Sequence, residues 1–223
     1  MNNAIKNTIV DTINNTIRIK ICGLFRDEDI DYVNEAGPDF AGFVFAKSRR
    51  QVSADRAAGL RRRLAGGIVP VGVFVDAPPE HIIALYRAGV ISIAQLHGSE
   101  SGEYIARLKE ASASGGGSEP IPVIKAVRSA ELEKELSLST EADYFLIDSG
   151  AGGGTTFDWG ILGAKKINKP WFLAGGICIE NIGEAMALDP FGIDISSGAE
   201  TDGFKDRKKI LQLTAMAGKG CVL

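Results

Sequence analysis

Eight short apolar segments, each closed by a turn signal and most followed by a stretch of helical periodicity, limit what this chain can fold into. The strand-like segments are 17–22, 40–45, 69–75, 91–96, 122–127, 144–148, 171–174 and 192–196. Helical periodicity runs through 28–36, 54–64, 79–88, 103–110, 130–136 and 179–188, and a last helix is expected at 205–215. Strands separated by helices need crossover connections, and crossovers make a parallel sheet. Eight such units in 223 residues match the small end of the α/β (β/α)8 TIM barrel. An open doubly wound sheet is the alternative if one or two of the strands are miscounted.

The rest of the composition fits a single domain. The run Ser112–Ser118, rich in serine and glycine, resembles a linker, but βα units lie on both sides and neither half is complete, so it reads as a surface loop. A formal net charge of −3 at pH 7 argues against a nucleic-acid partner. Arg61, Arg62 and Arg63 form a dense basic run that reads as the solvated face of a helix. Three cysteines at unrelated spacings make neither a disulfide framework nor a zinc site. Residues 1–16, rich in Asn and Thr, lack the pattern of a signal peptide. They read as an N-terminal extension open to disorder, ahead of a barrel domain at 17–223. No segment reaches transmembrane length, so neither a membrane partner nor any location but the cytoplasm is expected.

Where strands end is more telling. Cys22 closes the first apolar run and Asp148 the sixth. The carboxyl ends of parallel strands are where α/β enzymes gather acids, bases and nucleophiles. Side chains alternate along a strand, so Cys22 shares a face with Lys20 while Ile17, Ile19 and Ile21 take the other. In a barrel the isoleucines meet the helices, and Lys20 and Cys22 point inward. The same rule groups Asp148 with Leu146 and Tyr144, and His97 with Gln95, at one mouth.

Glycines supply a second element. Gly175 and Gly176 follow strand seven, Ser197 and Gly198 follow strand eight, and Gly153 and Gly154 lie after strand six. In barrels the loops after strands seven and eight commonly hold phosphate through backbone N–H groups, which glycine lets approach closely. Tight turns need glycine too, so the signal lies in the two consecutive strand-end positions.

With these pieces in place, the chain resembles the phosphoribosylanthranilate isomerase family of tryptophan biosynthesis along nearly its whole length after residue 16. The carrying segments are Lys20-Ile21-Cys22-Gly23, Gly42-Phe43-Val44-Phe45 leading to Ser48-Arg49-Arg50, Gln95-Leu96-His97-Gly98 and Thr156-Phe157-Asp158-Trp159. Leu173-Ala174-Gly175-Gly176-Ile177, Glu180-Asn181 and the run from Gly192 to Glu200 follow in the family's order. The resemblance implies a cofactor-free barrel enzyme acting on a small phosphosugar; a barrel of this size with no apparent exposed apolar stripe is expected to be a monomer. The reaction implied is the Amadori rearrangement of N-(5'-phosphoribosyl)anthranilate. By the same resemblance Cys22 is the general base, Asp148 the general acid, and Arg50 the partner of the substrate carboxylate.

The residue types suit that chemistry, since ring opening needs an acid at the ring oxygen and enolamine formation needs a base at C2. A thiol serves as base with a lowered or near-neutral pKa, which Lys20 would help provide. An aspartate serves as acid when burial or an anionic neighbour raises its pKa. Other readings stand beside these. Cys22 could be a small buried hydrophobe, Asp148 a turn cap, and Arg49 competes with Arg50 for the carboxylate. His97 fits a supporting role in substrate binding, and Asp194 serves equally to touch substrate or to orient neighbours. A lyase of the same pathway, indole-glycerol-phosphate synthase, and a non-catalytic phosphosugar-binding module are the alternative functions.

Overall fold

The computed structural model describes residues 17–114, 119–128, 140–148, 159 and 167–218. The N-terminal extension, the helix expected at 130–136, and Gly153 and Gly154 with their loop lie outside the described residues. Eight parallel strands close into a barrel in sequence order: β1 Arg18–Cys22, β2 Phe40–Val44, β3 Val69–Phe74, β4 Ile93–Leu96, β5 Val123–Arg128, β6 Tyr144–Asp148, β7 Trp171–Ala174 and β8 Gly192–Ile195. Closure comes from β1 pairing with β8, which sets Lys20 level with Asp194. The open doubly wound sheet is thereby excluded.

Helices Asp27–Ala36, Ala54–Arg63, Pro79–Arg87, Gly102–Ala113, Ile182–Ala187 and Arg207–Met216 connect or follow the strands. Ser53 and Ser101 cap the second and fourth of these by accepting the N–H groups of Arg56 and Tyr104. Most element ends shift by one to three residues from expectation, the helix expected at 179–188 running only over Ile182–Ala187, and two of the shifts have a visible cause. The fourth helix runs on to Ala113, into the linker-like run, because the Ser112 hydroxyl finds partners in Lys109 O and Ile121 N. The last helix starts at Arg207, because the Asp206 carboxylate caps Lys208 and Lys209 while Phe204–Lys205 (β10) pairs with Glu200–Thr201 (β9) in a short hairpin.

The core has the two layers that strand alternation requires. Ile19, Ile21, Phe43, Phe145 and Leu173 lie fully buried with the helices. The barrel interior holds Phe40, Val69, Val71, Ile124, Leu146 and Phe172. At its amino end Phe172 meets Phe40, Tyr144 and Phe191 with ring centroids 5.3–5.9 Å apart, an aromatic plug. Burial of each such ring contributes about 1.5–3 kcal/mol. With the amino end filled by hydrocarbon, the polar interior is confined to the opposite mouth.

Candidate active site

A cavity of ≈ 270 Å³ opens at the carboxyl ends of the strands, lined by Cys22, Gln95, His97, Asp148, Asp194 and the loops Gly175–Gly176 and Ser196–Gly198 among others. It brings together every described candidate from strands one, four, six, seven and eight. Arg50 is not among the lining residues.

Cys22 is 7% exposed, and its neighbour across the β1–β2 ladder is Gly42. A Cβ on Gly42 would stand 2.8 Å from Sγ, so only glycine leaves room for the thiol. Below it, Lys20 is fully buried and donates to Asp194 Oδ1 at 2.8 Å. Burial works against the Lys20 charge, but Asp194 and Cys22 outweigh it and the ammonium is held above its usual range. The thiol does not show the lowered pKa expected of it. Burial pushes Cys22 up, Lys20 pulls it down by less, and Asp194 adds to the rise. Desolvation of a thiolate in the closed barrel outweighs two cations, Lys20 and the more distant Lys205, each already held by a carboxylate.

On the far wall, His97 Nε2 stands 3.3 Å from Asp148 Oδ2, and His97 Nδ1 stands 3.1 Å from Gln95 Nε2. His97 touches the acid candidate directly. Gln95, to which the sequence reading gave no role, completes the row.

The glycine loops take shape from positive backbone angles at Gly175 (φ 96) and Gly176 (φ 66). Asn181 pins this loop by accepting from Cys178 N at 2.8 Å and donating to Gly176 O at 3.1 Å. A Cβ on Gly198 would collide with Ile177 O, so the two loops touch backbone to backbone.

Arg50 lies beside the mouth, across Gly23, with its guanidinium on Glu200 through Nε at 2.6 Å and Nη2 at 2.8 Å. Arg49 and Lys205 reach the same carboxylate, at 2.5 and 2.8 Å. Burial disfavours the Glu200 charge, yet Arg50 and Lys205 hold its carboxyl at about 2. Glu200 stood in a quoted segment without a role, and its signal was the pair of arginines needing a counter-charge. Among the described residues, no group of three or more His, Cys, Asp or Glu could hold a metal ion, and no helix is long and apolar enough to cross a membrane.

A closed parallel barrel with its polar cavity at the strands' carboxyl ends is the architecture of a (β/α)8-barrel enzyme. The family model for N-(5'-phosphoribosyl)anthranilate (PRA) isomerase matches residues 19–215. The chain belongs to the N-(5'-phosphoribosyl)anthranilate isomerase family. It is 43% identical over 201 residues to the N-(5'-phosphoribosyl)anthranilate isomerase of Endomicrobium trichonymphae, covering 87% of this chain and 95% of that one. It superposes on the phosphoribosyl anthranilate isomerase of Thermotoga maritima with a TM-score of 0.78 at 34% identity, over 91% of this chain and 98% of that one. A further isomerase structure, in complex with reduced 1-(o-carboxyphenylamino)-1-deoxyribulose 5-phosphate, matches with a TM-score of 0.76 at 33% identity, over the same 91% and 98%.

Proposed function

We propose that this chain catalyses the Amadori rearrangement of N-(5'-phosphoribosyl)anthranilate to 1-(o-carboxyphenylamino)-1-deoxyribulose 5-phosphate in tryptophan biosynthesis, with Asp148 as general acid and Cys22 as general base. The observation that carries this reading is the shared cavity: a thiol on β1 and a carboxyl on β6 line one space, in a chain of the isomerase family.

The chemistry needs only these two groups. Asp148 delivers a proton to the furanose oxygen; the C1–O bond breaks toward that oxygen, and the anilino nitrogen's lone pair forms a protonated imine. The Cys22 thiolate then takes the C2 proton, and those electrons form the enolamine and quench the imine charge. On ketonisation the Cys22 thiol gives its proton to C1, the enol O–H electrons form the C2 carbonyl, and the enol proton leaves to water, from which Asp148 recovers the proton it spent. Atoms balance, as an isomerisation demands, with no cofactor consumed.

The remaining candidates bind. Gly175, Gly176, Ser197 and Gly198 offer the loops that would cradle the phosphate, and Gly153 and Gly154 extend that proposal. Asp194, tied to Lys20, faces the sugar, and Arg50 would take the anthranilate carboxylate with the N–H groups that Glu200 leaves over. We take the enzyme to be a cytoplasmic monomer.

Turnover of substrate generated in situ, followed by loss of anthranilate fluorescence, tests the reading. Cys22→Ser and Asp148→Asn should each lower kcat by about 10²–10⁴-fold while leaving the fold intact. Wild-type turnover without loss in either variant would remove the pair; a folded wild type without turnover would remove the activity.

A further inference from the structure

Gln95 is 1% exposed, and its Oε1 is buried with no hydrogen-bond partner among the described residues. An unsatisfied buried carbonyl costs about 1–3 kcal/mol, whereas a leucine or methionine would fill similar space without that cost. Glutamine is therefore a poor choice here for stability alone. What it provides is the other end of the side chain, the amide Nε2, 3.1 Å from His97 Nδ1.

An amide nitrogen can only donate, so Nδ1 must carry a lone pair and the imidazole must be neutral, with its proton on Nε2. Nε2 is the atom that faces Asp148 Oδ2 at 3.3 Å. The reverse amide orientation would put the carbonyl on an Nδ1–H. That leaves either an imidazolium against Asp148 or an Nε2 lone pair against a carboxylate.

The distinction matters to an acid. A histidine beside an aspartate ordinarily gains charge, and a full imidazolium would hold the aspartate ionised and unable to donate. We propose that Gln95 is a positioning residue for the acid: by donating to His97 Nδ1 it keeps the imidazole neutral, as the Nε2–H tautomer, so that Asp148 remains able to carry the transferable proton. This rests on Asp148 being the acid, as proposed above.

Other charged groups stand near this pair. Arg128 is level with Asp148 on β5. In the turns beyond His97, Glu100 pairs with Lys125, and Asp76 accepts from Ser99. Across the cavity stand Cys22 and the Lys20–Asp194 pair.

The chain has two histidines, so nitrogen-15 NMR of the imidazoles resolves His97 once His97→Gln assigns it. At about pH 6, wild-type His97 should carry a proton on Nε2 alone, while in Gln95→Leu both nitrogens should be protonated. Gln95→Leu should unfold no earlier than wild type on heating. Its kcat/KM should fall roughly tenfold near pH 6 and return toward wild type near pH 9, where the imidazole is neutral in both. A doubly protonated or Nδ1–H His97 in the wild type overturns the proposal, as does a loss in Gln95→Leu that is the same at every pH. Full activity in Asp148→Asn with the NMR pattern as expected would instead sink the acid assignment and leave the tautomer standing.

Discussion

Arg50 and Glu200 meet as two forks, Nε on one carboxylate oxygen at 2.6 Å and Nη2 on the other at 2.8 Å. This fixes the guanidinium beside the mouth before any ligand arrives, which would lower the ordering cost of binding the substrate carboxylate proposed for it. Lysine cannot reproduce a planar fork. Arg50→Lys should raise KM roughly 10–100-fold with kcat changed much less, as expected for charge-assisted hydrogen bonds worth about 1.5–3 kcal/mol. Arg49, whose side chain is 54% exposed, should tolerate Ala with about a threefold change at most. Steady-state kinetics on the two variants decide the register; equal losses would overturn the choice of Arg50.

The same carboxylate makes an acid-stability prediction. Glu200 has its pKa held at about 2, below the 4.5 of an unperturbed glutamate. A depressed folded-state pKa contributes stability that is complete above the unfolded value and is lost as pH falls through the folded one. The window is therefore pH 4.5 down to about 2, and the shift corresponds to about 3 kcal/mol at most. Urea unfolding between these limits should show a loss that Glu200→Gln lacks. At pH 7 that variant should already be weaker by about 3–5 kcal/mol, because Lys205 and Arg50 are left buried or half-buried without their counter-charge.

Much of this was legible from strand alternation alone. The split of Ile19 and Ile21 to the helix side and Lys20 and Cys22 to the interior follows from a period of two, as does the grouping of Gln95 with His97. What periodicity cannot carry is which charges meet across the barrel. Lys20 and Asp194 are 174 positions apart, and Arg50 and Glu200 are 150 apart. Their pairing depends on β1 closing onto β8. The thiol's raised pKa was missed for the same reason, since desolvation is a property of the closed barrel and not of the motif.

That raised thiol has a kinetic consequence. On the proposed assignment of Cys22 as base and Asp148 as acid, the thiolate is a minority form near neutral pH that grows as pH rises while the carboxylic acid declines. Wild-type kcat/KM should therefore stay level across the neutral range. In Asp148→Asn the compensating acid is gone, and the residual rate should climb about tenfold per pH unit until Cys22 is fully ionised. Alkylation of Cys22 in a Cys178→Ser, Cys221→Ser background reads the same ionisation directly. A residual rate that is flat above pH 7 would mean a thiol already ionised there.

Gly198 sits where the loops after β7 and β8 press together, and an added methyl would collide with the carbonyl of Ile177, which is backbone and cannot swing aside. Gly198→Ala must therefore displace one loop from the other. Because Gly175, Gly176 and Ser197 line the cavity along the same seam, the displacement should fall on the proposed phosphate cradle. The expected result is a stability loss of about 1–3 kcal/mol, as for other overpacked sites. KM should rise tenfold or more, and inhibition by inorganic phosphate should weaken in parallel, because on the proposed reading both ligands use the same backbone N–H groups. Gly66, with open space around it, serves as the control, and Gly66→Ala should change neither. If phosphate inhibition in Gly198→Ala matches the wild type while KM rises, the phosphate lies elsewhere and the loop seam serves the sugar or the ring.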